Sequence, residues 1–357
     1  MAKKKWTTEQ RQADQQQKLA WLDERIAERV EQLVTGDDWL NALRFAAKFR
    51  TRSFLNTLGI YIQHQQAFQK GRVPEPAPTL LAGYGQWKHL GRWVMEGQRG
   101  YMIRKPVFDR YASANPASGK WRLLGFKEQP RSGEVVREKF TRTIPGYVWD
   151  VSQTDGKEIP ERPKPMVLEG TIPPGLWDGL AGQVTDAGFT LHDVPDEQSL
   201  GGASALTDYT EHQVFVTQNK SEAGRFALLS HELGHILMHD PDLGGREPHR
   251  GLREVEAESF AAMICAAYDL DSLDSTVPYV AGWAWSVKDK EPGEVIRATG
   301  GRVVKVACGV IDKLPEPASG NGKPILPKAP AREQTSPKRN PRDTASTTER
   351  ETAAISL

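Results

Sequence analysis

The sequence has little cysteine and no long apolar run. Cys265 and Cys308 are its only cysteines among 357 residues, and they lack the short spacing of a metal or redox motif. This excludes a disulfide-built secreted scaffold and is typical of reduced thiols in the cytoplasm. No stretch of 18 apolar residues occurs, and the Lys-rich start lacks the apolar core of a signal peptide. We therefore expect a cytoplasmic protein with no membrane segment and no membrane partner.

Net charge is also nearly absent, but the two signs are separated along the chain. The net charge is +1. Residues 44–110 carry 12 Lys or Arg against three acids, whereas residues 186–274 carry 17 acids against five Lys or Arg. Opposite charges of this size indicate two modules with different partners, and the basic module has the charge that suits a polyanion. The alternative is that the two modules attract each other.

One short motif carries the strongest chemical signal. Residues 231–235 read His-Glu-Leu-Gly-His, which is an HExxH motif. On a helix, His231 and His235 lie on one face and can bind one metal ion, while Glu232 can act as a general base. His239 lies about 12 Å from His231 along the helix axis, too far to share that metal. We interpret it as a surface residue or as a support for a ligand.

A catalytic zinc site usually takes three protein ligands and one water, so a third ligand is needed. Glu254 and Glu258 lie four residues apart on one face of a second predicted helix. One of them can ligate the metal while the other accepts the free N–H of a ligating histidine. Glu256 points about 100° away and is the weaker candidate. His249 is the alternative third ligand, and His249 and Tyr268 are candidates for stabilising an oxyanion.

Residues 212–217 have the composition of a β-strand and are followed by a turn. Ser221 then has the chemistry of a helix N-cap before the HExxH motif. An edge strand at this place can pair with the extended backbone of a peptide substrate. The alternative is an ordinary strand inside a sheet.

Apolar side chains at helical spacing predict three helices in the first 70 residues. The first contains Trp21, Leu22, Ile26 and Val30 and ends at residues 35–36. The second begins after Asp37 or Asp38 and the third after Ser53. We interpret their apolar faces as core. Strands are predicted at residues 101–107, 121–126, 138–143 and 147–151.

Aromatic and basic residues alternate between positions 84 and 105. Aromatic faces can stack on unpaired bases while cations follow the phosphates, which suits a single strand. The alternative is that the aromatics belong to a core with a charged rim. The candidate nucleic-acid-binding residues are Tyr84, Trp87, Lys88, Arg92, Arg99, Arg104 and Lys105, with Trp93 and Tyr101 as further aromatics.

A family resemblance rests on several of these segments. Residues 83–92, which read Gly-Tyr-Gly-Gln-Trp-Lys-His-Leu-Gly-Arg, together with residues 97–100 and 148–156, resemble the N-terminal domain of ArdC-like antirestriction proteins. The C-terminal half, through the HExxH motif and residues 254–261, is similar to the zincin-type peptidase domain related to the ImmA/IrrE metallopeptidases. Residues 279–283 also resemble the family. The resemblance covers roughly residues 37–312.

The resemblance implies His231, His235 and Glu254 as metal ligands and Glu232 as general base. Glu258 stands where the related peptidases often carry Asn or Asp, which leaves its supporting role open. We expect Zn²⁺, which lowers the pKa of a bound water toward about 7, so that Glu232 takes its proton and passes it to the leaving amine. Mn²⁺ or Co²⁺ fits the same ligands. The resemblance also implies binding of single-stranded DNA and protection of incoming mobile-element DNA from restriction.

The sequence thus predicts an α+β protein of two domains. We expect a helical extension at 1–36, an ArdC-like single-stranded-DNA-binding domain at 37–155, a zincin-like metallopeptidase domain at 156–314 and a disordered basic tail at 315–357. The expected partners are single-stranded DNA and an unidentified protein or peptide substrate. Three alternatives stay open: an ImmA/IrrE-like regulatory protease that cleaves a repressor or restriction protein, a DNA-binding protein with a structural zinc site, and a peptidase with no DNA role.

Overall fold

The structure is a computed structural model, and it describes residues 6–31, 36–125, 127–159, 170–243, 250–270, 291–318 and 320–324. His249, the family segment at 279–283, the predicted end of the first helix and most of the predicted basic tail lie outside these residues. Among the described residues, no helix has the length and apolar composition needed to cross a bilayer.

Helices lie at both ends of the described chain, and strands lie mainly between them. The described helices are α1 (Thr8–Glu31), α2 (Gly36–Lys48), α3 (Phe54–Gln69), α4 (Tyr84–His89), α5 (Leu176–Asp186), α6 (Glu222–His239), α7 (Arg250–Ala267) and α8 (Pro292–Ile311). The described strands are β1 (Leu81–Ala82), β2 (Arg92–Val94), β3 (Tyr101–Ser113), β4 (Arg122–Leu123), β5 (Val135–Asp150), β6 (Thr154–Gly156), β7 (Thr190–Val194), β8 (Ala205–Asp208) and β9 (Gln213–Thr217).

The first three helices form where the apolar spacing predicts them. In α1, Leu22, Ile26 and Val30 are four residues apart and all buried, which makes one apolar stripe along the helix. Trp21 is an exception, because 42% of its surface is exposed. Ser53 caps α3 as predicted, since its side chain accepts the N–H of Asn56. The core role expected for Trp21 is therefore wrong, while that of its neighbours is confirmed.

Three separate sheets hold the strands. A four-stranded sheet has the order β1-β5-β3-β4, and β2 pairs with β6 in a second, two-stranded sheet. The third sheet has the order β7-β9-β8, with β7 parallel and β8 antiparallel to β9. The strand predicted at 212–217 is β9, which lies in the middle of its sheet. The edge-strand interpretation is therefore wrong for β9, and β8 is an edge strand instead.

The strands β3 and β5 form one long antiparallel ladder from Tyr101↔Val148 to Ser113↔Val135, with a bulge beside Val107 and Phe108. The sequence predicts two strands here, at 138–143 and 147–151. The structure joins them into one strand. A proline is tolerated inside β5 because of the direction in which the backbone groups of the pair Pro145 and Arg104 point.

Pro145 pairs with Arg104, whose backbone N–H and C=O both bond to the side chain of Asn56 on α3, at 2.7 and 2.9 Å. These groups therefore point away from β5, and the pair is of the type that exchanges no ladder hydrogen bonds. A proline costs no ladder bond at such a position. Gln63, also on α3, binds both backbone groups of Met102 in the same way. The two amide side chains thus cover the outer edge of β3 at residues 102–104, and β4 pairs with the same edge at residues 111–112.

In the second half of the chain, α6 and α7 approach each other closely at Gly234. A Cβ atom there would lie 3.0 Å from Cδ1 of Phe260 and 3.3 Å from Cα of Ala257. Real Cβ atoms seldom have contacts this short, so a side chain at residue 234 would push the two helices apart by a few tenths of an ångström. The glycine inside the HExxH motif therefore sets the distance between the helix that carries the histidines and the helix that carries the acids.

The helices of the first and second halves of the chain share one core. The Trp39 Nε1 on α2 donates a hydrogen bond to Ser259 Oγ on α7 at 2.8 Å, and both residues are buried. Gly300 on α8 packs against the ring of Phe54 on α3. The mixture of helices and sheets confirms the α+β class. The predicted domain boundaries stay predictions, because residues 160–169, between the halves, lie outside the described chain.

Candidate metal centre

Two histidines of the HExxH motif face each other on α6. Ser221 begins this helix, since its Oγ accepts the N–H of Gly224 at 3.1 Å. The apolar face of α6 is fixed in the core by four buried side chains, namely those of Phe226, Leu229, Leu233 and Ile236. This orientation leaves His231 and His235 half-buried, with their Nε2 atoms 3.0 Å apart.

Glu254 on α7 joins His231 and His235 in a group of three residues, which we call the metal group. Its Oε2 lies 3.6 Å from His231 Nε2 and 3.5 Å from His235 Nε2. Ligands bound to one tetrahedral zinc at 2.0–2.1 Å would lie about 3.3 Å apart, so the three observed separations are close to those of a zinc site. Two imidazole nitrogens and one carboxylate oxygen are also a donor set that zinc accepts. The three residues therefore fit a divalent metal ion.

The electrostatics of the group also suit a cation. Burial lowers the pKa of His231, but the neighbouring carboxylates of Glu254, Glu258 and Glu232 outweigh it, so the pKa is raised overall. Hydrogen bonds to His231 and His235 hold the pKa of Glu254 far below its ordinary value. The cluster thus favours positive charge between the imidazoles and the carboxylate, as a proton or as a metal ion.

Glu232 is buried and turns toward the sheet. Thr207 Oγ1 on the edge strand β8 donates a hydrogen bond to Glu232 Oε2 at 2.5 Å. Tyr209, just beyond this strand, lies near enough that burial, and then the charge of Glu232, raise its pKa to about 12. The sequence analysis missed Thr207 and Tyr209, because nothing in the spacing relates a strand 25 residues upstream to the motif.

The acids on α7 divide between two histidines. Glu258 Oε1 lies 3.4 Å from His231 Nδ1, on the side of the ring opposite the metal group. Glu256 does not face the metal group but contacts His239, the last residue of α6. His239 is buried, so a surface position is wrong, and its Nδ1 lies 3.1 Å from His235 Nδ1. The Tyr268 hydroxyl donates to Pro315 O at 2.7 Å, a contact outside the metal group.

The predicted nucleic-acid residues separate into buried and exposed ones. Trp87 is fully buried, and its Nε1 donates to Trp149 O at 3.0 Å. Tyr101 is also buried and bonds to His64 Nδ1 at 2.8 Å. The interpretation of these rings as stacking platforms is corrected, since their faces are packed in the protein and a base has no access to them.

Two of the predicted cations have structural partners. Arg92 donates to Thr154 Oγ1 at 2.8 Å and to Thr154 O at 2.7 Å, which joins β2 to β6. Arg104 pairs with Asp23 on α1. These contacts account for both guanidinium groups without a nucleic acid. The exposed members of the predicted set are Tyr84, Lys88, Arg99 and Lys105, and Trp93 is exposed as well.

Tyr84 belongs to a group of rings that the sequence analysis did not connect. Tyr84 contacts Trp149 with ring centroids 6.1 Å apart. A Cβ on Gly100 would lie 2.7 Å from the Trp149 ring and 3.1 Å from Cβ of Tyr147, so Tyr147 and Trp149 flank this glycine. Tyr84 and Tyr147 are 53% and 41% exposed. We call Tyr84, Tyr147 and Trp149 the aromatic patch.

Two families of known proteins match the chain in succession. The family described as the N-terminal domain of anti-restriction factor ArdC matches residues 14–144, and the IrrE N-terminal-like domain matches residues 192–270. An uncharacterised protein of Bacillus anthracis is 21% identical over 307 residues, which cover 81% of this chain. The chain spans about half the length of that relative, since 50% of it is covered.

Two solved structures of the antirestriction ArdC protein from the R388 plasmid are also similar. The metal-free one is 21% identical with a TM-score of 0.44, over 73% of this chain and 84% of that one. The Mn(II)-bound one is 18% identical with a TM-score of 0.41, over 79% of this chain and 98% of that one. With an ArdC N-terminal domain followed by an IrrE-like, M78-type peptidase domain, the chain is an ArdC-like protein.

Proposed function

We propose that this protein is an antirestriction-type factor that binds single-stranded DNA and carries a zinc metallopeptidase site. The observation that carries the enzymatic part is the convergence of His231, His235 and Glu254, with Nε2 and Oε2 atoms 3.0 to 3.6 Å apart, in a domain of the IrrE type. In this proposal the three residues hold the metal and Glu232 is the general base.

A zinc ion at this place would act as a Lewis acid and lower the pKa of a bound water toward about 7. Glu232 would take the proton of the attacking water on a carboxylate oxygen and pass it to the leaving amine. The hydrogen bond from Thr207 holds Oε2 of this carboxylate. Thr207 therefore orients the base, leaving its second oxygen to handle the proton.

The edge strand β8 supports a peptide as the substrate. Among the described residues it pairs with a strand, β9, on one side only, and it carries Thr207, the residue that contacts Glu232. An extended peptide added to the open side would make main-chain hydrogen bonds beside the base. Main-chain pairing gives affinity with little side-chain selectivity, so the proposed substrate is an extended segment of a protein.

For DNA, the aromatic patch and the cations around it support a single strand. Tyr84 and Tyr147 expose rings that can stack on unpaired bases. Lys88 follows Tyr84 by one helical turn, and Arg99 precedes the glycine beneath the patch. Exposed cations at these places can follow the phosphates of the strand. Lys105 pairs with Ile144 and so lies on the opposite face of the β3–β5 ladder from Tyr147.

The enzymatic part is tested with zinc-loaded protein on a mixture of unfolded proteins. We expect Glu232→Gln to bind zinc as the wild type does but to lose cleavage by about 10²- to 10⁴-fold, the usual contribution of a general base. Glu222→Gln is the matched control, because Glu222 is an exposed acid in the first turn of the same helix. Equal cleavage by Glu232→Gln and wild type would refute the role of this base.

The DNA part is tested by fluorescence anisotropy with single- and double-stranded oligonucleotides across a salt series. We expect preference for single strands and an affinity that falls with salt, by a slope of about 0.7 per phosphate contacted. Replacing Tyr84 and Tyr147 with alanine should cost about 1–3 kcal/mol per stacked base. The matched control replaces Phe108 and Phe140, an equally exposed pair on the β3–β5 hairpin, 52% and 53% exposed.

If the Phe108 and Phe140 variant alone loses DNA binding, the proposed surface is wrong. A restriction-protection assay in cells then separates the functional alternatives. Loss of protection in Glu232→Gln alone favours a regulatory protease, and loss in the Tyr84 and Tyr147 variant alone favours a DNA-binding factor with a structural metal. The proposal of one factor with both activities expects that each variant loses protection.

A further inference from the structure

A row of buried polar side chains leads away from the metal group on the far side of His235. His235 Nδ1 lies 3.1 Å from His239 Nδ1, and His239 Nε2 lies 2.9 Å from Glu256 Oε2. Arg302 Nη2 on α8 lies 3.1 Å from Glu256 Oε1. The side chains of His239 and Glu256 are both 0% exposed, and that of Arg302 is 42% exposed. We call His239 and Glu256 the buried row; Arg302 flanks it at its outer end.

The direction of the row excludes His239 as a metal ligand. The metal group faces Nε2 of His235, whereas His239 contacts the Nδ1 atom of the same ring. The two nitrogens of an imidazole point in divergent directions, so a side chain at Nδ1 lies behind the ring as seen from the metal. His239 therefore contacts the ring nitrogen of His235 that does not face the metal group.

Only one arrangement of protons satisfies every contact in the row. A metal at His235 Nε2 needs the lone pair of that nitrogen, so His235 carries its proton on Nδ1. His235 Nδ1 then donates to His239 Nδ1, which must be unprotonated, and His239 carries its proton on Nε2. His239 Nε2 donates that proton to the Glu256 carboxylate, which accepts only while it is ionised or through its carbonyl oxygen.

We propose that His239 and Glu256 are positioning residues that fix the tautomer and orientation of the metal ligand His235 through this two-step hydrogen-bond row. The inference rests on the proposed metal site. Carboxylates that bond directly to a ligating histidine have this effect in zinc proteins. Here the carboxylate acts through an intervening histidine, whereas the other ligand, His231, has Glu258 directly beside its Nδ1.

Arg302 supplies the compensating charge that a buried carboxylate needs. Glu256 is fully buried, and Arg302 is a cation within ion-pair distance of it. The guanidinium offsets the charge of this carboxylate, whose other oxygen, Oε2, accepts from His239 Nε2.

The test measures zinc affinity by competition with a chromogenic chelator on the full chain. The leucine of His239→Leu fills the buried position but cannot accept a hydrogen bond from His235. We expect this variant to bind zinc about 10- to 100-fold more weakly, the range for such supporting partners. His239→Asn keeps an acceptor oxygen near the position of Nδ1 and should recover most of the affinity. Glu256→Gln should weaken binding by about tenfold. Ser230→Ala is the matched control, since Ser230 is a buried polar residue of the same helix whose hydroxyl donates to Phe226 O in that helix.

A second measurement does not depend on variants that fold. Two-bond nitrogen–proton NMR spectra of the wild type should show His239 with a protonated Nε2 and an unprotonated Nδ1. A proton on His239 Nδ1, or wild-type zinc affinity in both His239→Leu and Glu256→Gln, would overturn the proposal. If the wild type binds no zinc, the proposed metal site fails and this inference fails with it. If the wild type binds zinc and both variants keep the wild-type zinc affinity, the metal site stands and only the proposal about the buried row is refuted.

Discussion

Gly234 offers a sharp test of how the two helices at the metal group are held together. Gly234→Ala introduces a Cβ that would lie 3.0 Å from Phe260 Cδ1 and 3.3 Å from Ala257 Cα. The second atom belongs to the backbone of α7, so it cannot move without the helix. Alanine is favoured over glycine inside a helix by about 1 kcal/mol. Overpacking of a tight core costs about 1–3 kcal/mol.

A second glycine isolates the packing effect. Gly301 lies inside α8, is exposed, and has nothing within 4 Å of an added Cβ. Gly301→Ala should therefore gain about 1 kcal/mol and raise the Tm by about 2–4 °C. The helix-propensity gain is common to both variants, so their difference of about 1–3 kcal/mol measures overpacking at Gly234 alone.

The assay is thermal and denaturant unfolding of both variants and the wild type, followed by zinc titration. We expect Gly234→Ala to be no more stable than the wild type and to bind zinc more weakly, because moving α7 moves Glu254 away from the histidines. If Gly234→Ala raised the Tm as much as Gly301→Ala does and kept wild-type zinc affinity, the claim that this glycine sets the distance between the helices would be refuted.

Further predictions concern the metal, the pH and two buried hydrogen bonds. A bound metal should stabilise the fold by about 2.7 kcal/mol at 100 times its Kd, so a chelator should lower the Tm measured in a melting scan. In the metal-free protein the raised pKa of His231 adds stability below pH 6.5, and this stability is lost as the pH rises through the folded-state pKa of His231. The lowered pKa of Glu254 adds stability above pH 4.5, and this stability is lost as the pH falls through the folded-state pKa of Glu254. The stability difference between wild type and Glu254→Gln should therefore be largest between about pH 4.5 and 6.5 in melts across pH. Thr207→Val removes the donor to the buried Glu232 carboxylate and should cost about 1–3 kcal/mol in denaturant unfolding, whereas Thr207→Ser should not. Trp39→Phe removes the bond to Ser259, and a double-mutant cycle with Ser259→Ala should give a coupling of about 0.5–3 kcal/mol.

Each of these predictions has an outcome that contradicts it. A Tm that the chelator leaves unchanged in the zinc-loaded protein would contradict a metal at this site. A flat pH profile of the difference would show that His231 and Glu254 do not interact in the metal-free protein. Equal stability of Thr207→Val and Thr207→Ser would remove the hydrogen bond as the cause. A coupling near zero would mean that α2 and α7 do not depend on the tryptophan–serine bond.

Much of the metal group was predictable, because helical periodicity is a local property. Four-residue spacing alone puts His231 beside His235, and the same spacing puts Glu254 and Glu258 on one face of the next helix. Ser221 and Ser53 predict their helix starts because a cap depends on a few neighbouring residues. The arrangement of the acids around the histidines was not predictable in full. Glu256, the weaker ligand candidate, contacts His239, which the spacing left as either a surface residue or a support for a ligand.

Which aromatic residues are buried could not be predicted from the sequence, for a different reason. Trp87 and Tyr84 are three residues apart in a stretch of uniform composition, yet one is fully buried and the other is 53% exposed. Which ring faces the core depends on where β5 passes, since Trp87 bonds to Trp149 O on that strand. The order of the strands likewise decides that β8, and not β9, is an edge.

The sequence by itself determined the helices, their caps and the donor atoms offered by the HExxH motif, since these follow from spacing over a few residues. Only the tertiary structure decided which groups meet: the approach of α7 to α6 at Gly234, the bond from Thr207 to Glu232, and the contact of Arg302 with Glu256. These partners are distant in the chain and reach one another through packing, a property that no local pattern encodes.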